Sequence, residues 1–244
     1  MFRSRAHAFL LAAALFFIVL PVLAQNGNVK AKVLLYKDRI AAQWDTVDCV
    51  KNVIKINPLL FFRGEIPIYF EHAISQRVSM EIGAGVTYRN YLHLTFAGDD
   101  ADDFGAGTKI IPKPAFHLGA RYYFKDELEP DGAYLQIEFA YLDYAKDISL
   151  KKDTTGEFTG KTLHDERVYN DVRLYYGYQL LNSSSNWLFD VYGGVALRSR
   201  HLEVVHENQK VDALTGVLTY DYTLDKSTDL VPAFFLGIKV GVGF

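Results

Sequence analysis

Apolar residues alternate with small or charged residues through most of this sequence. In the closing stretch FFLGIKVGVGF (residues 234–244), every even position is apolar, whereas the odd positions hold Phe235, Lys239 and three glycines. A period of two is that of a β-strand, in which successive side chains point to opposite faces of a sheet. The sequence therefore predicts an all-β protein whose strands have one apolar face and one polar or small face.

Eight stretches of the chain share this alternation. They are residues 52–62, 64–74, 78–88, 114–124, 133–144, 168–180, 187–198 and 234–244. Strands of about ten residues cross a bilayer at a tilt, whereas soluble sheets are built from strands of about five or six. A closed barrel also pairs every backbone group, as lipid demands. We expect an eight-stranded antiparallel transmembrane up-and-down β-barrel. A soluble β-sandwich is the alternative, because it alternates too.

The connections between the expected strands differ in length. Short turns alternate with long polar segments at 89–110, 145–167 and 199–228. Short periplasmic turns on one rim and longer extracellular loops on the other are typical of outer-membrane barrels. Aromatic residues at strand ends favour interfacial girdles, and they are Tyr88, Tyr91, Tyr122, Tyr123, Phe124, Tyr141, Tyr144 and Trp187. Residues 214–225 alternate as well, so the last hairpin is expected to project beyond the membrane. Its edges are candidates for binding other proteins by strand addition.

The amino-terminal segments have a separate character. Residues 1–24 combine Arg3 and Arg5 with the apolar run FLLAAALFFIVL and a small residue, Ala24, as a cleaved signal peptide does. Residues 25–50 are interpreted as a periplasmic lead-in, and residues 51–244 as the outer-membrane barrel domain. Alternation at Val29, Ala31 and Val33 leaves a further strand, and hence a ten-stranded barrel, open.

Residues 53–89 (VIKINPLLFFRGEIPIYFEHAISQRVSMEIGAGVTYR) and the terminal GIKVGVGF resemble the small outer-membrane β-barrel proteins of Bacteroidota. The resemblance covers about residues 51–244, and most of these families have no assigned function. It implies an eight-stranded barrel in the cell outer membrane and brings no catalytic residues with it. It also implies that the barrel-assembly machinery reads Phe244, which lies in register with the expected lipid-facing side chains.

The polar face of the expected strands carries charges of both signs. An eight-stranded barrel is barely wide enough for side chains, so these groups are expected to pair with one another. We call the following six residues the lumen network: Glu71, Glu81, Arg121, Glu138, Arg173 and Lys239. Asp171, Asp190 and Arg198 are expected on the same face. A proton or ion path is the functional alternative to a structural network.

Other function classes find less support in the sequence. The formal net charge of −3 argues against a nucleic-acid partner, and Cys49 is the only cysteine, so no internal disulfide can form. No histidine is followed by a serine two residues later, so the sequence predicts no hydrolytic site, and His93 with Thr95 is the nearest match to that pattern. No cofactor or metal is expected, although two clusters have oxygen ligands: Asp99, Asp100, Asp102 and Asp103, and His164 with Asp165 and Glu166.

We therefore expect a non-enzymatic outer-membrane protein that lies in lipid and is recognised by the barrel-assembly machinery through its C-terminal strand. Its long loops are expected to contact an extracellular protein partner. Two other functions remain open. One is a small passive pore or a ten-stranded channel. The other is a barrel hydrolase acting on lipid or peptide.

Overall fold

Nine antiparallel strands and one short 3₁₀ helix make up a computed structural model that describes residues 49–92, 104–125, 129–152, 155–182, 185–214 and 216–244. The strands are β1 (Asn52–Ile56), β2 (Glu65–Ala73), β3 (Val78–Thr87), β4 (Thr108–Ile111), β5 (Lys113–Tyr123), β6 (Gly132–Lys151), β7 (Phe158–Leu181), β8 (Trp187–Val211) and β9 (Leu218–Gly243), and the helix spans Pro58–Arg63. The all-β prediction is confirmed. The predicted count of eight strands is wrong.

Eight of the strands form a ring of pairings. The order is β1, β2, β3, β5, β6, β7, β8 and β9, and β9 then pairs with β1. The ninth strand, β4, pairs only with the far part of β6 and begins within the predicted loop 89–110. Pro112 alone separates β4 from β5. Because proline has no N–H to donate to a ladder, the chain forms two strands, β4 and β5, on either side of it.

The predicted first strand, residues 52–62, is only half strand. β1 ends at Ile56, and the chain turns into the 3₁₀ helix, whose first residue is Pro58. Proline fits the first turn of a helix, where its missing N–H has no partner to lose. Gly64 then closes the helix in the left-handed region, at φ 73°, and donates its N–H to the carbonyl of Phe61. The apolar run LLFF therefore packs as a helix although it occupies a strand-like window.

Two of the three predicted long loops are mostly strand. β6 continues to Lys151 and β7 begins at Phe158, while β8 continues to Val211 and β9 begins at Leu218. The predictions of loops at 145–167 and 199–228 are therefore wrong. In these parts of the strands, polar side chains such as Lys146, Lys226 and Thr228 interrupt the apolar face, so the apolar stripe that signals a strand is broken although the backbone ladder continues.

Burial along the ring is inverted relative to a soluble protein. In β2, Glu65, Tyr69 and Glu71 are buried, whereas Ile66 and Ile68 are exposed. The same holds around the ring, where the exposed apolar side chains include Ile54, Ile82, Phe116, Leu118, Leu135, Ile137, Phe139, Val172, Leu174, Phe189, Val191, Val195, Leu197, Phe234, Leu236 and Val242. We call this set the apolar belt.

Tyrosine rings fill the inside of the ring opposite glycines. Tyr192 of β8 is in register with Gly177 of β7 on one side and with Gly237 of β9 on the other. A side chain at Gly237 would collide with the ring of Tyr192, so only glycine fits there without a shift. Tyr123 and Tyr144 also lie inside, at 2% and 6% exposure, so their predicted place in the interfacial girdles is wrong.

Candidate functional site

All six residues of the lumen network lie on the buried face of the ring. Glu71 and Glu81 come from β2 and β3, Arg121 and Glu138 from β5 and β6, Arg173 from β7 and Lys239 from β9. None of the six is more than 2% exposed. The period of two puts every second side chain inside, so six strands contribute to one buried cluster.

Arg121 is the centre of the first part of the network. Its guanidinium lies 2.8 Å from the carboxylate of Glu81 and 2.9 Å from that of Asp190. It also donates to the side-chain oxygens of Gln136 and Gln179, each at 2.7 Å. An arginine with four such partners is held by charge and by hydrogen-bond geometry together.

Two lysines complete this part. Lys239 donates to Glu81 at 2.5 Å. Lys55 of β1 donates to Glu71 and, at 3.1 Å, to Glu81. Lys55 is not among the residues selected from the sequence. The signal is available, because Ile54 and Ile56 on either side are apolar and alternation therefore puts Lys55 on the opposite face, which lies inside.

The second part of the network is built around Arg173. Its guanidinium contacts Asp171 at 2.7 Å and Glu138 at 3.1 Å. Arg198 of β8 contacts the same Asp171 at 2.8 Å. His117 of β5 joins Glu138 through Nδ1 at 3.1 Å. The structure therefore places Asp171, Asp190 and Arg198 with the lumen network, on the face where alternation puts them.

Aromatic faces lie against several of these cations. The ring centroid of Tyr134 is 4.3 Å from the guanidinium of Arg121, and that of Tyr69 is 4.0 Å from the ammonium of Lys239. Phe235 lies beside Arg63 and Arg173, at 4.9 and 4.3 Å. Cation–π contacts of this kind gain strength when water is excluded. They account for aromatic side chains on a face that otherwise carries charge.

Among the described residues, buried lysines and arginines equal buried aspartates and glutamates in number. The buried cations are Lys55, Arg63, Arg121, Lys146, Arg167, Arg173, Arg198 and Lys239, and the buried anions are Glu65, Glu71, Glu81, Glu138, Asp143, Asp165, Asp171 and Asp190. Removing charge from water is costly, and only pairing with good geometry offsets the cost. Each of these charges has a counter-charge within 4.0 Å, which suits a static, filled interior.

A second candidate site lies where the long hairpins leave the ring. A cavity of about 310 Å³ is lined by Lys146, Ile148 and Lys151 of β6, Arg167 of β7, Val204, Val205, His206 and Glu207 of β8, and Gly105, Ala106 and Thr108 near β4. Its lining is mixed in charge. Asp165, beside it, lies 3.4 Å from Arg167 and accepts a hydrogen bond from the backbone N–H of Val205.

Lys151 joins the two hairpins above this cavity. Its ammonium contacts both carboxylate oxygens of Glu207, at 2.8 and 2.9 Å, and its backbone N–H donates to the hydroxyl of Tyr222. Burial raises the pKa of Glu207, but the hydrogen bonds from Lys151, Gln209 and Tyr222 outweigh it, so that pKa lies below its usual value. The hydrogen bond to Glu207 raises the pKa of Lys151. Both groups are therefore held in their charged forms at neutral pH.

The three residues of the cluster at 164–166, for which no metal is expected, point in different directions on β7. His164 contacts Asp147 at 2.8 Å, Asp165 is buried beside the cavity, and Glu166 contacts Lys113 at 3.0 Å. In the part of the chain that the structure describes, no three His, Cys, Asp or Glu residues are arranged to hold a metal ion. His93, Thr95 and the aspartates at 99, 100, 102 and 103 lie outside the described residues, as do residues 1–48.

Phe244 lies beside the start of β1. Phe244 and Asn52 exchange both backbone hydrogen bonds, at 3.1 and 2.8 Å. Its side chain is exposed, in register with the exposed Val242. The six residues of the lumen network and Phe244 are therefore on opposite faces of the same ring.

Comparison with known proteins gives no assignment. No protein-family model, no curated protein and no solved structure matches the chain. Within the described residues, no helix is long and apolar enough to span a membrane. The resemblance to outer-membrane proteins of Bacteroidota therefore stays a prediction, and function has to be argued from the geometry alone.

Proposed function

We propose that this chain is an integral outer-membrane β-barrel protein. Its eight-membered ring of strands crosses the bilayer, and the ion network closes its interior. Its extended hairpins stand outside the membrane and give it a structural or surface-binding role. It is not an enzyme and needs no cofactor.

The inverted burial pattern carries this proposal. Ile68 on the outside of β2 is 60% exposed, while its neighbours Tyr69 and Glu71 are at most 1% exposed. Exposed apolar side chains lie on every strand of the ring, with charged or small positions between them, whereas soluble monomers rarely expose apolar patches larger than a few hundred Å². In lipid, an apolar outer surface and a charged interior are both favourable. The closed ring also pairs most backbone groups, so few N–H and C=O groups are left without a hydrogen bond in the bilayer.

Strand length and the placing of aromatic residues support the same reading. β2, β3 and β5 have 9, 10 and 11 residues, which suits a tilted crossing of a bilayer. Tyr122, Phe124 and Tyr176 form a chain of exposed rings at one rim, with centroids 6.0 and 6.3 Å apart. Trp187 is exposed at the same end of the strands. Such rings favour the headgroup region.

Site-specific labelling tests the membrane assignment. In a Cys49→Ser background, Val191→Cys places a thiol in the apolar belt and Thr223→Cys places one on the hairpin, both at exposed positions. In lipid nanodiscs, we expect a charged maleimide to modify Thr223→Cys and to spare Val191→Cys. In urea, both should react. Equal labelling of the two in the folded protein would contradict a lipid-covered belt.

Conductance separates the closed barrel from a pore. Because the charges inside the ring pair with one another, we expect the refolded protein to carry no steady porin-like current in a planar bilayer. Arg121→Ala opens part of this packing and should raise leakage above wild type. A steady current from the wild-type protein would favour the passive-pore alternative.

Phe244 is proposed as the signal that the barrel-assembly machinery reads. Val242 is the matched control, because its side chain is also apolar, exposed and in the same register. We expect Phe244→Ala to lower the amount of protein in the outer membrane and to leave precursor in the periplasm, whereas Val242→Ala should not. Equal outer-membrane levels for both variants would show that Phe244 is not the assembly signal.

A further inference from the structure

One side of β9 has no neighbouring strand over most of its length in the described residues. The β8–β9 ladder runs without a shift from Trp187↔Val242 to Val211↔Leu218. On its other side, β9 pairs with β1 only between Val240 and Gly243. The 3₁₀ helix, through Arg63, lies against Phe235. We call residues 218–231, which lie beyond this helix, the open edge.

The register shows which backbone groups face the open edge. Phe244 exchanges both hydrogen bonds with Asn52 of the β1 side, whereas Gly243 donates to Asn186 of the β8 side. Backbone direction alternates along a strand, so even residues of β9 face the β1 side and odd residues face β8. The N–H and C=O groups of even residues from 218 to 230 therefore point to the open edge. Pro232, whose missing N–H is on the same side, is tolerated because it costs no ladder bond there.

The side chains of the open edge have two distinct faces. Asp221, Asp225 and Asp229 are exposed on one face, about 13 Å apart from one to the next. On the β8 side they meet cationic groups, with Lys210 at 3.3 Å from Asp221 and Arg200 at 2.6 Å from Asp229. The other face carries the exposed apolar side chains Leu224 and Leu230.

We propose that the open edge is the docking site for an extended, basic segment of another protein, which adds to β9 as an antiparallel strand. Lysine or arginine side chains of that segment lie opposite the three aspartates, and its apolar side chains cover Leu224 and Leu230. The inference rests on the proposed function in that it takes the hairpin to stand outside the membrane. A second copy of this chain is a poor occupant, because antiparallel pairing of two identical edges sets aspartate against aspartate.

A synthetic peptide of alternating lysine and valine, about ten residues long, is the probe, since that length spans the three aspartates. Fluorescence anisotropy of the labelled peptide with the folded protein in detergent at low salt measures binding. We expect saturable binding, and none for a glutamate–valine peptide of the same length. Asp221→Asn with Asp225→Asn should weaken binding about tenfold, since two exposed ion pairs with the probe are lost.

Backbone methylation tests strand addition itself. In antiparallel pairing, paired residues lie on the same face, so the amides of the valines face the even residues of β9. We expect a probe N-methylated on the valines to lose binding and one N-methylated on the lysines to keep it. Thr228→Pro in the protein, which removes an N–H from the open edge only, should also weaken binding. Any other pattern overturns antiparallel addition.

The two proposals fail in different ways. Heat-modifiable migration on a gel and β-rich circular dichroism report folding before the probe is added. A folded protein that does not bind the probe overturns the docking site and leaves the proposed function standing. A protein that stays unfolded in detergent overturns both.

Discussion

The ring and the hairpins use the same ion-pair chemistry under opposite conditions. In the ring, Arg121 and Glu81 meet at 2.8 Å with both side chains almost completely buried. On the β8–β9 hairpin, Lys226 and Glu203 meet at 2.6 Å with side chains 62% and 45% exposed. The distances are similar, so distance cannot distinguish the two pairs. Solvent can, because water screens the exposed pair and solvates each partner if the other is lost.

The comparison shows that an ion pair affects the free energy of unfolding mainly through the cost of removing one of its partners. A buried pair adds little net stability relative to an apolar core, but removing one partner strands a charge in a low-dielectric interior. The ring therefore tolerates loss of a charge poorly, whereas the hairpins tolerate it well. This difference fits the proposal that the ring anchors in lipid and the hairpins bind outside it.

The largest effect is expected from Arg121→Ala. This change leaves Glu81 and Asp190 without their central cation and should lower the free energy of unfolding by about 3–5 kcal/mol. Urea titration of the protein refolded in lipid vesicles, followed by tryptophan fluorescence, measures the change.

A double variant provides the control for Arg121. Arg121→Met with Glu81→Gln removes one charge of each sign, so it should recover part of the loss. If Arg121→Ala unfolds at the wild-type urea concentration, the guanidinium is solvated and the ring is not a low-dielectric interior.

Packing inside the ring predicts the next effect. Gly237→Ala forces a methyl group against the buried ring of Tyr192, whose hydroxyl accepts a hydrogen bond from Asn57 at 2.7 Å. Overpacking of this kind costs about 1–3 kcal/mol. Gly193→Ala is the matched control, because its methyl group meets the flexible end of Leu236 at 3.0 Å. Equal unfolding midpoints for the two variants would show that Tyr192 moves freely.

The sequence predicts the ring better than the hairpins, for a physical reason. In the ring, one face is buried and the other is apolar and exposed, so alternation is strong, and the buried positions of Glu71, Glu81 and Lys239 follow from it. Beyond the ring, side chains such as Asp221 and Thr223 are exposed, so no buried face fixes the residue type at alternate positions. The end of β4 depends on Pro112, and the start of the 3₁₀ helix depends on Pro58. A pattern with a period of two does not detect such local effects of proline.

The contact between the hairpins predicts a pH-dependent effect of moderate size. The lowered pKa of Glu207 means that its contribution is present above the usual glutamate value and is lost as the pH falls through the lowered one. The raised pKa of Lys151 means that its contribution is lost only as the pH rises above the usual lysine value. The contact should therefore be fully formed between about pH 5 and pH 10.

Hydrogen exchange compared between wild type and Lys151→Met measures this contact. At pH 7, amides of residues 145–152 and 203–211 should exchange up to about fivefold faster in the variant, as loss of a mostly exposed pair predicts. Once the pH falls below the lowered pKa of Glu207, the difference should vanish because Glu207 is then protonated in both proteins. A difference that persists unchanged in acid would mean that the methylene chain of Lys151, and not its charge, holds the hairpins.

The smallest effect is expected from Lys226→Ala. Lys226 and Glu203 are cross-strand partners on β8 and β9, and both remain in contact with water. Water replaces the lost partner, so the free energy of unfolding should change by less than about 0.5 kcal/mol, and added salt should remove even that change. The same urea titration used for Arg121→Ala gives the comparison directly. A loss for Lys226→Ala close to that for Arg121→Ala would mean that hairpin and ring unfold as one unit, with the hairpin ladder as much a part of the stable core as the buried charges.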